Sequence, residues 1–541
     1  MIGENFDIEI LDTTLRDGAQ GEGIVFSLRD KLAVTETLDE LGVAWIEAGN
    51  PGSNPKDLEY FRQVMSLKLN NSRLCAFGST RKKNIKAQDD SQLRSLLSAE
   101  TEGVVIFGKS WDLHVEYVLQ VEPEENLAMI ADSIAFLKAQ GRTVIYDAEH
   151  FFDGWQVNPS YALCTIKAAV EAGADRIVLC DTNGGTFPDK IAAATQKVIN
   201  MINTITPAIV PVGIHAHNDC GLALANSIAA VQAGCVHVQG TLAGFGERCG
   251  NTTLAALIPS LELKLSLRCL PQGNLERIGK LTRRVAEIAN ITISDDMPYI
   301  GLHAFSHKGG MHADGVLKTS RSFEHISPAA VGNERHILMS EVGGRAAIVE
   351  RVKKIKSDIH KDHPVIISLA EKLKSQEADG WAYEGADASF EILVRRHLEL
   401  YKPFFSIEAY RVMSEHPARK SSDCNRNIEI SSQAWVKVIV GEASEVAAAE
   451  DVGPVGALDS ALRRALMRFY PGLAKVRLED YKVRVIDGKD ATAARVRVLI
   501  ESTDGLHTWS TVGVSADIID ASRAALVDSI EYMLIHEAKS E

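Results

Sequence analysis

Ile8-Glu9-Ile10-Leu11-Asp12, then Ser27-Leu28-Arg29-Asp30-Lys31-Leu32 running on through Leu38 and Leu41 to Gly42, then Trp45-Ile46-Glu47: these three pieces decide the fold. A short β-branched run is followed by a helix-length segment and a second short run. Ser27 with Asp30 three residues on has the form of a capping box. Leu28, Leu32, Leu38 and Leu41 supply one apolar face, and Gly42 suits a left-handed stop.

Working outward, the same beat recurs. Short runs begin near Ile8, Trp45, Arg73, Gly103, Thr143, Arg176, Val212 and His237, each followed by helix-length sequence. Eight strand–helix units within residues 1–268 match the count and size of a (β/α)8 TIM barrel, whose chemistry sits at the C-terminal ends of the strands. The other home for alternating units is an open doubly wound sheet. The first strand is not followed by a Gly-x-Gly-x-x-Gly turn, which favours the barrel.

Beyond the barrel the beat stops. From about Leu270 to Ser375 helical patterns alternate with Gly/His-rich loops and residues 376–430 are mixed; together 269–430 are expected to be helical linker subdomains. Period-two alternation returns in Ala434-Trp435-Val436-Lys437-Val438-Ile439-Val440 and in Arg495-Val496-Arg497-Val498-Leu499-Ile500. Each run leads to a Val-Gly pair, expected as a turn, and then to a helix. Val452-Gly453, Ala461, Arg463 and Ala465-Leu466 align at a constant offset with Val512-Gly513, Ala521, Arg523 and Ala525-Leu526. Residues 431–541 are therefore expected to be a small α+β domain with duplicated halves.

At 541 residues the chain exceeds what one hydrophobic core supports. The net charge is −14, and no basic cluster interleaves with aromatics, so no nucleic-acid partner is expected. Arg81-Lys82-Lys83 is short: a solvated loop or an anion-contacting edge. The eight cysteines include no Cys-x-x-Cys pair, which suits reduced thiols and a cytoplasmic location. The first residues lack the pattern of a signal peptide, and no apolar run approaches the ~20 residues that span a bilayer, so no membrane association is expected.

The polar residues gather where a barrel would put its active site. Strand 1 ends in Leu15-Arg16-Asp17-Gly18-Ala19-Gln20, strand 5 in Tyr146-Asp147-Ala148-Glu149, and strand 6 in Cys180-Asp181-Thr182-Asn183-Gly184-Gly185. Strand 7 ends in His215-Ala216-His217-Asn218-Asp219, and strand 8 leads into Gly244-Phe245-Gly246-Glu247-Arg248-Cys249-Gly250-Asn251. His-x-His on a strand points both imidazoles to one side. They are either a chelating pair or two buried histidines satisfied by hydrogen bonds. Asp17 across the barrel would complete a nitrogen/oxygen set for a divalent metal: Zn, Mn or Mg.

Leu15 to Gln20 with Lys31 eleven residues on, and Val212-Gly213-Ile214-His215-Ala216-His217-Asn218-Asp219-Cys220-Gly221, resemble the two signatures of the 2-isopropylmalate synthase, homocitrate synthase and citramalate synthase family. The resemblance continues through Gly246-Glu247-Arg248 with Asn251, through Gly309-Gly310-Met311-His312-Ala313-Asp314-Gly315, and into the C-terminal module. It implies that Asp17, His215 and His217 bind the metal, with Asn251 as a further ligand, directly or through water. Arg16 would sit on the developing oxyanion and Thr182 on the 2-oxo acid carboxylate, with Gln20 also substrate-facing. Glu149 resembles the catalytic glutamate, with Asp147 as a competitor under a shifted alignment. His312 and Asp314 resemble a pair supplied by the partner subunit of a homodimer. His312 is the second candidate proton handler, whereas His303 and His307 are better read as loop or packing residues. Gly244, Gly246 and Glu247, with Asp314, are assigned to acetyl-CoA; the loop glycines also fit an ordinary strand–helix turn. Ser322-Phe323-Glu324 departs from a family segment that often carries Tyr.

Tyr146 to Gly154 and Leu179 to Gly185 resemble the citramalate synthase branch, which condenses acetyl-CoA with pyruvate on a threonine-independent route to isoleucine. Phe107 and Tyr146, at adjacent strand ends, would narrow the acceptor pocket to a methyl ketone. The alternatives are a 2-isopropylmalate synthase acting on 2-oxoisovalerate and, from another class, a C–C lyase on the same barrel. A lyase would be expected to carry Cys-Pro in the glycine loop, where Cys249 is followed by Gly250. A biotin-dependent carboxyltransferase lacks support because there is no Ala-Met-Lys-Met site. A non-catalytic sensor would need a degenerate barrel site, and the metal motif is complete. The C-terminal module is expected either to sense a feedback amino acid, isoleucine first, or to serve dimerisation alone.

Overall fold

The computed structural model describes residues 6–53, 55–308, 310–337, 344–353, 355–356, 358–360, 363–383, 385–415, 431–486, 494–505 and 507–537. Gly309 of the glycine-rich motif and Cys424 lie outside the described residues. The remaining seven cysteines are free thiols.

The chain divides into two compact units: Met1–Phe305 with His325–Arg335, and Ser306–Glu324 with His336–Glu541. The first is built on β1 (Glu9–Asp12), β2 (Trp45–Glu47), β3 (Arg73–Ser79), β4 (Gly103–Lys109), β5 (Thr143–Glu149), β6 (Arg176–Asp181), β7 (Val212–Ala216) and β8 (His237–Gly240). They pair in sequence order, all parallel, and β1 closes on β8 with Glu9 opposite His237 and Asp12 opposite Gly240. The strands start where the sequence places them, with β1 one residue later than Ile8. Local chemistry explains the first helix, Leu28–Leu41. The Ser27 hydroxyl accepts from Asp30 N at 3.2 Å, and Ser27 N donates to Asp30 Oδ2 at 2.7 Å. Gly42 stops it at φ 92°.

Alternation along each strand makes two layers. Leu11, Trp45, Cys75, Val105, Ile145, Val178 and Cys180 fill the barrel interior. Ile10, Ile46, Ala76, Ile106, Tyr146 and Ile177 instead face the surrounding helices. At the floor, Glu9 accepts from Arg176 Nε at 2.5 Å, Arg73 at 3.1 Å and Trp45 Nε1 at 3.0 Å, and pairs with His237 Nδ1 at 3.1 Å. With the floor plugged by Trp45 and this ion cluster, the polar strand ends gather at the opposite mouth.

The second unit contains two three-stranded antiparallel sheets. Ser406–Glu415, Ser431–Val440 and Ala443–Asp451 form one, followed by helix Pro454–Met467. Arg477–Val485, Val496–Thr503 and Thr508–Ser515 form the other, followed by helix Ile518–Glu537. The aligned pairs Ala461/Ala521, Ala465/Ala525 and Leu466/Leu526 are all fully buried, so the duplication is one of helix-on-sheet packing. Two expectations are corrected. Ser406–Glu415 falls among residues expected to be helical linker, yet it is a strand paired antiparallel with Ser431–Val440. Val512-Gly513 lies inside the strand Thr508–Ser515 and not in a turn. A Cβ on Gly513 would stand 2.0 Å from Ala521 O, so glycine there lets the helix backbone approach the strand. Among the described residues, no helix is long and apolar enough to cross a membrane.

Candidate active site at the barrel mouth

β7 delivers His215 and the residue after its end delivers His217, and both rings reach Asp17, which follows β1. His215 Nε2 is 3.1 Å and His217 Nε2 3.8 Å from Asp17 Oδ2, and the two Nε2 atoms are 3.4 Å apart. All three residues are buried, and no other described group of His, Cys, Asp and Glu converges as a candidate metal site. Asn251 joins them, its Nδ2 3.0 Å from Asp17 Oδ2 and 3.2 Å from His215 Nε2. Burial raises the Asp17 pKa, yet the Arg16 guanidinium and the two imidazoles outweigh burial and hold it well below the carboxylate range. Burial, with His215 alongside, pushes His217 down to about 3, so its imidazole is neutral and offers a lone pair.

These residues fit a divalent cation. One carboxylate and two imidazoles, without thiolate, suit Mn, Mg or Zn. Asn251 Oδ1 is buried without a hydrogen-bond partner, and a half-turn of its amide would aim that oxygen at the other donors. The glycine loop makes room for it: a Cβ on Gly246 would lie 1.8 Å from Asn251 Oδ1, and one on Gly250 2.1 Å from Gly244 O. Gly244 and Gly246 thus build the loop around Asn251. Glu247 is exposed and paired with Arg248, which also bridges to Asp219 at 2.8 Å and 2.9 Å.

Arg16 is fixed from three sides. Its Nε donates to Glu47 Oε2 at 2.5 Å, its Nη1 is 3.3 Å from Asp17 Oδ2, and its guanidinium sits 3.9 Å over the Phe77 ring. Phe77 stacks in turn on Phe107, with centroids 5.3 Å apart. Tyr146 does not border the site, which corrects the expected pocket wall. Ile145, Asp147 and Glu149 alternate inward on β5, whereas Tyr146 is fully buried in the outer layer, its hydroxyl packed against Gly108. Asp147 lies deeper, its Oδ1 accepting from Gln239 Nε2 at 2.9 Å, and burial with Glu47 nearby pushes it up to about 7. Glu149 stands at the rim in an ion pair with Lys109. Thr182 Oγ1 accepts from His150 N at 2.9 Å, which leaves its own proton free to donate. Gln20 is exposed on the 3-10 turn Gly18–Gln20.

His312 and Asp314 lie on helix Gly310–Lys318 of the second unit, where His312 stacks on Phe323 at 4.2 Å and Asp314 pairs with Lys318. The departure from the family's Tyr therefore puts a plain phenyl ring against His312. His307 is buried, 3.3 Å from Glu324.

Sequence reading missed Glu47, Phe77, Lys109 and Gln239. Glu47 and Gln239 carried a signal: each is a polar residue inside a short run that a parallel barrel buries on both faces. Beside the rim, Arg81, Lys82, Lys83 and Lys109 with Ser79 and Thr80 line a cavity of about 300 Å³. Within the basic run, Arg81 is braced by Glu125 and Asp132, and Lys83 donates to the carbonyls of Leu119 and Gln120.

Comparison with known proteins sharpens this picture. Residues 7–285 match the HMGL-like family, 299–379 the homocitrate synthase post-HMGL domain, and 384–534 the LeuA allosteric (dimerisation) domain. A buried Asp/His/His set at the mouth of such a barrel defines the class: an acyl-CoA condensing enzyme of the HMGL-like kind. The chain is 47% identical over 530 residues to (R)-citramalate synthase of Aquifex aeolicus, covering 98% of each. It is 45% identical over 527 residues to that of Geobacter sulfurreducens, covering 97% of each. Identity to a probable 2-isopropylmalate synthase of Methanopyrus kandleri falls to 30% over 527 residues, 97% of each. The chain belongs to the citramalate synthase family.

Proposed function

We propose that the protein condenses acetyl-CoA with pyruvate and, with water, releases CoA and (R)-citramalate. The observation that carries this reading is the buried Asp17–His215–His217 set beside an immobilised Arg16, in a chain that aligns over its whole length with citramalate synthases.

A thioester methyl is a weak acid, so its deprotonation needs a placed base and fixed charge for the oxygen that becomes negative. When bound, the divalent cation supplies Lewis-acid polarisation of the 2-oxo carbonyl. Arg16, locked by Glu47 and Phe77, holds the oxygen that becomes an alkoxide as the new carbon–carbon bond forms at C2. The free Thr182 proton is available to the pyruvate carboxylate. Glu149, at the rim and steadied by Lys109, takes the methyl proton, and its partial exposure lets that proton pass to water. The alkoxide takes a proton back from water, and a further water cleaves the thioester to leave a carboxylate, the CoA thiol and one proton released to solvent. His312 is the second candidate proton handler. The stacked Phe77–Phe107 pair walls the acceptor side and favours a methyl ketone. The cationic cavity at Lys82, Lys83 and Lys109 suits the phosphates of CoA.

The duplicated helix-on-sheet module and the match to the LeuA allosteric (dimerisation) domain support feedback by isoleucine and a homodimer. The test of the acceptor is kcat/KM for pyruvate against 2-oxoisovalerate under matched conditions, with the product's configuration checked. Preference for pyruvate is expected; a higher value for 2-oxoisovalerate would move the protein to the 2-isopropylmalate reading.

A further inference from the structure

The two histidines of the candidate metal site differ in what holds the ring nitrogen facing away from it. His217 Nδ1 is buried without a hydrogen-bond partner. His215 Nδ1 is 2.8 Å from Gln239 Oε1, and Gln239 is fully buried on β8, directly opposite His215 in the β7–β8 register. The Gln239 amide is not free to turn, because its Nε2 donates to Asp147 Oδ1 at 2.9 Å. Asp147 belongs to β5, which pairs with β4 and β6, so this bond spans the barrel interior.

The direction of the chain follows from donors and acceptors alone. Because Nε2 of Gln239 donates to Asp147 Oδ1, Oε1 of the same amide is the atom turned toward the imidazole. An imidazole facing an acceptor through Nδ1 carries its proton there, which leaves the Nε2 lone pair bare. That lone pair is the one beside Asp17 and His217.

We propose that Asp147 and Gln239 are a positioning pair that sets the tautomer and ring plane of His215 for the divalent cation. The proposal rests on the metal reading above and adds which residues, out of contact with the cation, give His215 its ligating face. A carboxylate directly on Nδ1 would do the same job with a charge. Here a neutral amide stands between, so the acid is kept one residue further from the site. Loss of such an outer partner weakens metal affinity by about 10–100-fold in comparable sites.

The experiment measures binding, without substrates. Full-length protein is stripped of metal and titrated with Mn²⁺, free ion being read by electron paramagnetic resonance; the Co²⁺ ligand-field spectrum is recorded on the same samples. Gln239→Leu removes the acceptor and is expected to raise the Mn²⁺ Kd by about 10–100-fold and to alter the Co²⁺ bands. Gln239→Glu keeps an acceptor toward His215, with a proton shared with Asp147 in place of the amide N–H, and is expected to restore both readouts to near wild type. Should Gln239→Leu fail to fold, Asp147→Leu, which frees the amide to turn, carries the same expectation with a smaller loss. Unchanged Mn²⁺ affinity in whichever of these two variants folds overturns the positioning pair, as does a Gln239→Glu variant as weak as Gln239→Leu. Wild-type protein that fails to bind Mn²⁺, Mg²⁺ or Zn²⁺ overturns the metal reading itself, and the pair with it.

Discussion

Replacing Glu9 by Gln is expected to loosen the barrel from its floor. Glu9 is the shared acceptor for Arg176, Arg73, Trp45 and His237, and its side chain is only 20% exposed. Gln keeps the shape and removes the charge, leaving two guanidinium groups with reduced compensation; Arg73 retains Glu102 at 3.5 Å. Removing one partner of a buried ion pair costs ~3–5 kcal/mol, and the partial exposure here argues for the lower end, about 3 kcal/mol. For a unit of roughly 300 residues, at ~2.1 cal/mol/K per residue, that is a fall of about 5 °C in the barrel's transition. The effect also depends on pH. Burial raises the Glu9 pKa, but His237 and Arg176 outweigh it, so the folded value lies well below the ordinary 4.5. The stabilisation is therefore complete above about pH 5 and fades as pH falls through the folded value. Calorimetry of both proteins at pH 7 and pH 3 should show the gap shrink at the lower pH. A Glu9→Gln protein melting within about 1 °C of wild type at pH 7 would refute the reasoning, as would a gap independent of pH.

Other outcomes follow from the mouth of the barrel and from the second unit. Gly246→Ala forces a Cβ against Asn251 Oδ1 and should lower kcat/KM at least about tenfold, ~1.4 kcal/mol; steady-state kinetics on protein shown by a melting curve to be folded checks this. Phe107→Ala opens the acceptor wall and should shift the pyruvate-to-2-oxoisovalerate ratio of kcat/KM by about 10-fold toward the larger acid, within the ~1–3 kcal/mol that a methylene contributes. Millimolar isoleucine should inhibit the full chain, read as CoA release at subsaturating pyruvate; indifference to isoleucine, leucine and valine would leave the duplicated module a structural one.

Most of the first unit was legible because a parallel barrel repeats one physical unit. The strands are short and buried, most of them carry β-branched residues, and at the first helix Ser27, Asp30 and Gly42 act locally. His215 and His217 were legible for the same reason: period two puts them on one side wherever the strand goes. What stayed hidden depends on facing. Tyr146 and Asp147 are neighbours in sequence, and only closure of the barrel shows that Asp147 points in and Tyr146 out. Glu47 and Gln239 sit on β2 and β8, and their roles need partners, Arg16 and Asp147, that the chain supplies 31 and 92 residues away. In the second unit, the Ser406–Glu415 strand escaped notice because an edge strand can carry polar residues on both sides. Val512-Gly513 resembled a turn because glycine serves turns and close helix–strand approach alike.

The most direct test of the central claim is CoA release from acetyl-CoA by metal-stripped protein, before and after a divalent cation is restored, with pyruvate present or omitted. Asp17, His215 and His217 predict that release is negligible in the stripped protein and returns with Mn²⁺, Mg²⁺ or Zn²⁺. It should proceed only with pyruvate, one CoA per citramalate formed, and stay absent in His217→Ala protein that keeps its fold. Full pyruvate-dependent release from the stripped protein, or from His217→Ala, would contradict the account.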